Sequence, residues 1–317
     1  MSSLQFRFPK TYYRILSFDG GGIRGILTAT LLKRLEEKHP KLIENTDLFV
    51  GSSVGSFIAL ALANGISLHE IIRLFSVPNS KKIFEKRRRF YLFRPKYSNK
   101  PLKKLLSQLF SDSLRLKDLP KNVVITSFKL YCEDTGDWEP VFFNNFPSSK
   151  NKYETVVSAA LSSSAAPIYF PSYNNHIDGG IIVNNPDTAA ISFAAGRNGA
   201  NRKLKDIVLL SFGTGYNPLK ITSDTANWGL AQWAYSFRPK LSNPKYPILD
   251  ILTDGVVESD TFFSSQLLQD RYFRLNPRLF EQIKLDDYEK IPTLIDLANQ
   301  VDLAQASSFV KTYWTDE

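Results

Sequence analysis

Cysteine is almost missing from this chain of 317 residues, with Cys132 the only one. A single thiol excludes an internal disulfide and any cysteine-built zinc site, and it fits a reducing compartment. Three histidines leave little for a His-rich metal centre, and the only methionine is the initiator. Long apolar runs are absent as well. Residues 48–68 and 156–177 carry no charge, but glycines and serines interrupt the first, and serines and two prolines the second, so neither is the apolar stretch of about twenty residues that a bilayer demands. The first ten residues show no apolar h-region, which points to a cytoplasmic protein without a secretory signal. Glycine (16) and proline (17) are near average, which excludes collagen-like and low-complexity chains. Hydrophobic residues at 43% suffice for a sizeable core.

Charge is unevenly placed. The net +9 is accounted for by residues 81–104, where eleven basic residues accompany one acid, Glu85. Phe84, Phe90, Tyr91, Phe93 and Tyr97 are interleaved with them. Such a segment is either a solvated surface loop with its aromatics tucked into the core, or a docking surface for an anionic partner. A bilayer face, a nucleotide and a single strand of nucleic acid would all suit that composition. Residues 76–100, read as irregular, charged and aromatic, also form a candidate lid.

Short apolar runs alternate with helical periodicity. Strands are expected at 14–18, 47–50, 122–131 and 206–212, and helices at 26–38, 56–63, 153–162 and 187–195. That alternation predicts an α/β fold with a mostly parallel sheet covered on both faces. Beyond residue 215 the pattern turns helical and aromatic, at 228–237, 250–269 and 293–313. One domain over 1–317, with a core at about 11–215 and a helical part at about 216–317, is the simplest organisation.

Two glycine motifs sit between strand and helix. The first, Asp19-Gly20-Gly21-Gly22-Ile23-Arg24-Gly25, contains the G-x-G-x-x-G spacing of dinucleotide sites. A dinucleotide fold needs an acid at the end of the second strand, and here Gly51-Ser52-Ser53 occupies that place. No Gly-Lys-Ser/Thr follows for a phosphate loop either. What is left is a run of backbone N–H groups at a helix N-terminus, suited to an anion or an oxyanion. The second motif, Gly51-Ser52-Ser53-Val54-Gly55, is a G-x-S-x-G whose central Ser53 would be exposed on a sharp turn. A nucleophilic serine needs a base. No histidine follows His176; His176 with an acid such as Asp134 is one assembly, and Asp178, in His176-Ile-Asp-Gly-Gly180, is the other. A partly desolvated Asp178 would hold protons more tightly and so serve as the base.

The ordered set Asp-Gly-Gly-Gly-Ile-Arg-Gly, Gly-x-Ser-x-Gly and Asp-Gly-Gly resembles the patatin-like phospholipase family. Residues 159–171, Asn184-Asn185-Pro186 and 210–215 resemble it too. The resemblance implies a three-layer α/β/α sandwich, a Ser53–Asp178 dyad without histidine, and an oxyanion hole at Gly20, Gly21 and Gly22. It implies a phospholipase A-type reaction on membrane phospholipid at the inner face of the membrane, with no cofactor and no metal. Arg24 has two readings, a contact to the lipid phosphate or a structural ion pair, and the second is favoured. Asp19 is read as a turn-holding residue and Cys132 as a buried strand residue. Small bacterial members of the family include antiviral effectors gated by a cyclic di- or trinucleotide, so such an activator is an expected partner. A homo-oligomer is left open, and no stable nucleic-acid partner is expected. The contrasting reading is a non-catalytic storage or anionic-ligand-binding protein on the same fold.

Overall fold

The computed structural model describes residues 12–85, 93–236 and 244–315. Lys86, Arg87, Arg88, Arg89, Phe90 and Tyr91 of the basic segment lie outside the described residues.

Strand β1 (Tyr13–Phe18) is buried along its whole length, as a strand covered on both sides must be. It feeds α1 (Gly25–Lys38), β2 (Leu48–Gly51), α2 (Val54–Ala63), α3 (Leu68–Leu74), α4 (Val77–Ile83) and α5 (Lys100–Leu109). Then come β3 (Asn122–Lys129), β4 (Glu139–Asn144), α6 (Val156–Ser163), β5 (His176–Asp178), α7 (Asp187–Ala195) and β6 (Ile207–Phe212). The remainder holds α8 (Leu230–Ala234), α9 (Pro247–Asp250), α10 (Val257–Leu268), β7 (Tyr272–Leu275), α11 (Ile291–Gln300) and α12 (Ala304–Tyr313).

The sheet order is β4-β3-β2-β1-β6-β7, with β5 also paired to β3. β1, β2, β3, β6 and β7 run parallel; β4 and β5 are antiparallel to β3. Successive strand residues face opposite sides, and two cores result. Leu16, Phe18, Phe49, Val208 and Leu210 pack with α1, α2, α6, α11 and α12 on one face. Tyr13, Ile15, Val50 and Leu209 pack with α7 on the other. This is a three-layer α/β/α sandwich around a mostly parallel sheet.

Three expectations need correction. The part beyond residue 215 is not only helical, because β7 extends the sheet beside β6. Arg274, in the middle of this four-residue strand, breaks the apolar pattern that would have announced it. The expected strand 122–131 stops at Lys129, so Cys132 is buried in the following turn rather than in a strand. Residues 76–100 are not irregular throughout either. Val77–Ile83 is helical, and Phe84 stacks edge-on to buried Tyr97 at 5.3 Å. Phe93, in contrast, is 83% exposed.

The topology positions the site. β1 connects to β2 on one side, and β6 returns on the other side of β1. Ligands in open α/β sheets bind outside the carboxyl ends of strands at such a switch point. Phe18 is level with both Gly51 and Phe212, so the turns after β1, β2 and β6 start side by side.

Candidate active site

Ser53 is the N-cap of α2, with φ 49° and ψ −121°. A non-glycine residue in this region carries about 1–3 kcal/mol of backbone strain, and its neighbours explain how it is held. A Cβ on Gly55 would lie 2.2 Å from the Phe18 carbonyl oxygen, and one on Gly51 would lie 2.2 Å from that of Gly55. Helix α2 can therefore start against the end of β1 only with glycine at both places. The Ser53 N–H donates to Ser163 Oγ at 2.9 Å. Ser52 is fully buried and accepts from Thr126 Oγ1 at 2.8 Å, so of the two serines only Ser53 reaches the cavity.

Asp178 ends β5 opposite Ser127. Its Oδ2 accepts the Ser53 hydroxyl at 2.6 Å, and its Oδ1 accepts the Gly180 N–H at 2.7 Å. Burial pushes the carboxyl up to about 6, against the opposing effect of those two hydrogen bonds. Gly179 lets the strand end approach β3, since a Cβ there would sit 2.2 Å from Thr126 Oγ1.

Two cavities meet at Ser53 and Asp178. The polar one is bordered by Gly21, Asn184, Thr253, Asp254 and Lys284. The apolar one, of about 730 Å³ with part open to solvent, runs past Val54, Phe57, Phe75, Leu102 and Leu106.

The glycine turn is braced from both ends of the chain. Asp19 is gripped by Arg274 at 3.0 and 2.5 Å, which fits its expected turn-holding role. The Gly20 carbonyl accepts from Thr214 Oγ1 at 2.8 Å, and the Gly21 carbonyl accepts from Arg24 Nε at 3.3 Å. In a trans peptide the N–H points opposite its own carbonyl. Thr214 thus fixes the direction of the Gly21 N–H, and Arg24 that of the Gly22 N–H. Neither N–H, nor that of Val54, makes a hydrogen bond among the described residues. Gly20 differs from its expected role: its N–H is committed to the Asn184 carbonyl at 3.0 Å.

The family model named patatin-like phospholipase matches residues 16–191, more than half of the chain, with Gly20–Gly22, Ser53 and Asp178 all inside. The chain belongs to the patatin-like phospholipase family. CotR, a candidate sporulation hydrolase of Bacillus subtilis strain 168, is 36% identical over 317 residues, 95% of this chain and 98% of its own length. Protein teg of Priestia megaterium is 36% identical over 319 residues, 96% of this chain and 99% of its own. A cGAMP-activated phospholipase of Escherichia coli is 31% identical over 229 residues, 65% of this chain and 63% of its own.

Within this patatin-like site the remaining expectations sort clearly. Arg24 is 1% exposed, and its guanidinium also donates to Asp254 at 2.8 Å and to the Gly215 carbonyl at 3.3 Å. Three of its five N–H donors are thus used within the protein, one of them in an ion pair, and the residue also borders the polar cavity. His176 borders neither cavity; its ring packs on Phe143 at 5.3 Å and burial pushes its pKa down. Asp134 is exposed in the turn after β3. Ser163, Thr214, Asp254 and Arg274 were missed by sequence reasoning. Thr214 alone had a signal, in Gly213-Thr214-Gly215.

Proposed function

We propose that this patatin-like protein hydrolyses the carboxylic esters of membrane phospholipids, with Ser53 as nucleophile and Asp178 as its base. The observation that carries the reading is the 2.6 Å hydrogen bond from Ser53 Oγ to a buried carboxylate. With its pKa at about 6, Asp178 is about nine-tenths ionised at pH 7 and yet more basic than an ordinary carboxylate. As Ser53 Oγ bonds to the ester carbon, Asp178 Oδ2 takes its proton and the carbonyl π pair moves onto oxygen. The N–H groups of Gly21 and Gly22, with Val54, receive that oxyanion; each donor of this kind contributes about 3 kcal/mol. The tetrahedral species collapses, the C–O bond to the lysolipid breaks, and Asp178 returns the proton to the leaving oxygen. Water, deprotonated by Asp178, then cleaves acyl-Ser53 to release fatty acid. The apolar cavity suits the acyl chain and the polar one the glycerol side.

A second reading adds a switch on this chemistry, a cyclic di- or trinucleotide that turns it on at the inner membrane face. Its support is the likeness to cGAMP-activated phospholipases of Escherichia coli and Vibrio cholerae, each 31% identical over about two thirds of this chain. The test is fatty-acid release from mixed phospholipid vesicles by wild type, Ser53→Ala and Asp178→Ala, with and without a panel of cyclic nucleotides. Constitutive release abolished by both substitutions is the expected result for the first reading. Release only with one nucleotide establishes the second. Silence throughout, with no fluorophosphonate labelling of Ser53, returns the protein to a non-catalytic, anion-binding role.

A further inference from the structure

Eighteen large apolar side chains are exposed among the described residues, and seven of them fall within 247–268. They include Ile248, Leu252, Val256, Phe262 and Phe263, the last two at 59% and 54% exposure. Concentration of this kind is unusual, since the exposed apolar residues of a monomer are normally scattered. Glu258 is the single exposed charge in the same run. Helix α8 packs against α9 and adds Leu230 at 87% exposure.

The exposure is enforced from inside. Between α9 and α10 the chain makes a π-helical turn, Ile251–Gly255, a widened geometry frequent at functional sites. Its inner side holds the active site: the Thr253 carbonyl accepts from Asn184 Nδ2 at 2.5 Å, and Asp254 pairs with Arg24 at 2.8 Å. Leu249, Asp250, Thr253 and Asp254 border the polar cavity at Ser53. Turning the outer side chains inward would break that ion pair, whose Arg24 end is buried, so the apolar face stays at the rim of the cavity.

Beside it the rim carries both signs of charge, with Lys96 and Asp286 paired at 3.3 Å. Tyr169, Asp250, Gln282 and Lys284 border both the Ser53 cavity and a wide groove whose far wall includes Lys81 and Lys82 of α4. The ammonium groups of Lys81, Lys82 and Lys284 make no ion pair or hydrogen bond among the described residues. Lys81 and Lys82 are the described edge of the +10 segment. An apolar helical face beside unpaired lysines is the composition that binds the headgroup boundary of an anionic bilayer, apolar area and basic charge adding to each other.

We propose that the outer face of 247–268, with Leu230 and the lysines across the groove, docks the protein on an anionic phospholipid bilayer and sets the mouth of the Ser53 cavity against the headgroups. The inference rests on the lipid-ester reading of Ser53, and its test separates the two. Ser53→Ala protein, which turns over nothing, is floated with phosphatidylcholine vesicles with and without phosphatidylglycerol. Leu252→Glu and Phe263→Glu are each expected to weaken vesicle binding about tenfold or more, while hydrolysis of a water-soluble short-chain ester by the same variants on a Ser53 background is unchanged. Lys81→Glu with Lys82→Glu is expected to remove most of the gain from phosphatidylglycerol. Hydrogen exchange supplies a readout without surface variants: phosphatidylglycerol vesicles protect 230–234 and 247–268 in the Ser53→Ala protein. Unchanged binding in the variants, or no protection there, overturns the docking face, as does a face buried in a homodimer that binds vesicles elsewhere. If wild type cleaves no ester but the vesicle results hold, the hydrolase reading fails and the docking face stands.

Discussion

Replacing Asp178 with Asn removes a negative charge from a side chain that is 5% exposed, and leaves the side chain's size unchanged. Asn can accept the Gly180 N–H through Oδ1 and donate to Ser53 Oγ through Nδ2, so both hydrogen bonds of Asp178 keep a counterpart. What changes is the cost of ionisation. The carboxyl titrates at about 6 in the folded protein against 3.8 for the free group. The native state therefore binds this proton more tightly than the unfolded chain does. Below pH 4 the carboxyl is protonated in both states, and the wild type and the Asp178→Asn variant should be nearly equivalent. As pH rises from 4 to 6 the unfolded chain releases its proton first, and the wild type loses stability. Above pH 6 the loss is complete, about 3 kcal/mol for a shift of about two units. For a chain of this size that is roughly 5 °C in Tm. The assay is thermal or urea unfolding of wild type and Asp178→Asn from pH 4 to pH 8, taken as a difference so that shared titrations cancel. The variant should be the more stable protein at pH 8 and lose the advantage by pH 4. Its esterase rate should fall about 10²–10⁴-fold. A stability difference that does not vary with pH would refute the reasoning, because Asp178 would then not change its protonation on folding.

Thr214→Val keeps the shape of a side chain that is 4% exposed and deletes its hydrogen bond to the Gly20 carbonyl. On a soluble ester kcat should fall about tenfold with KM nearly unchanged, since the Gly21 N–H acts on the transition state; an unaltered kcat removes Thr214 from the positioning of the turn. Gly55→Ala drives a Cβ into two backbone oxygens, those of Phe18 at 2.2 Å and Asp19 at 2.7 Å, and backbone cannot rotate away. Urea unfolding should show a loss of about 2 kcal/mol or more, well beyond that of the same change at Gly25, where the contacts are the tips of Val54 and Phe75 side chains.

The positions that announced themselves in the sequence are those where chemistry and backbone geometry demand one residue type. Gly51 and Gly55 are legible because only a missing Cβ lets α2 start against β1, and Ser53 because it stands between them. Asp178 was one of two bases that the residues left open, and the resemblance of its Asp-Gly-Gly to the family motif singled it out. A sheet covered on both faces followed from largely apolar strands such as Ile207–Phe212, which is buried throughout. Less legible were elements that are short or charged: β5 has three residues, β4 opens with Glu139-Pro140, and β7 carries Arg274. The bracing side chains were invisible for a different reason. Arg24 finds Asp254 across 230 positions and Asp19 finds Arg274 across 255, and no local pattern records a pairing of that span.

Those two long-range pairs bear on how the protein can be cut. The segment matching the family model ends at residue 191, and by sequence it holds the whole of the reacting pair. Yet Arg274 and Asp254, which hold the two sides of the glycine turn, belong to the last quarter of the chain. A nick that frees this quarter would leave Asp19 and Arg24 as buried charges without counter-ions, a change that costs several kcal/mol at each. The turn would reorganise while Ser53 and Asp178 stayed in place. Proteolysis far from the proposed nucleophile is thus a route to silencing it, and a fragment trimmed to the matching segment would lose β6 and β7 from the sheet as well.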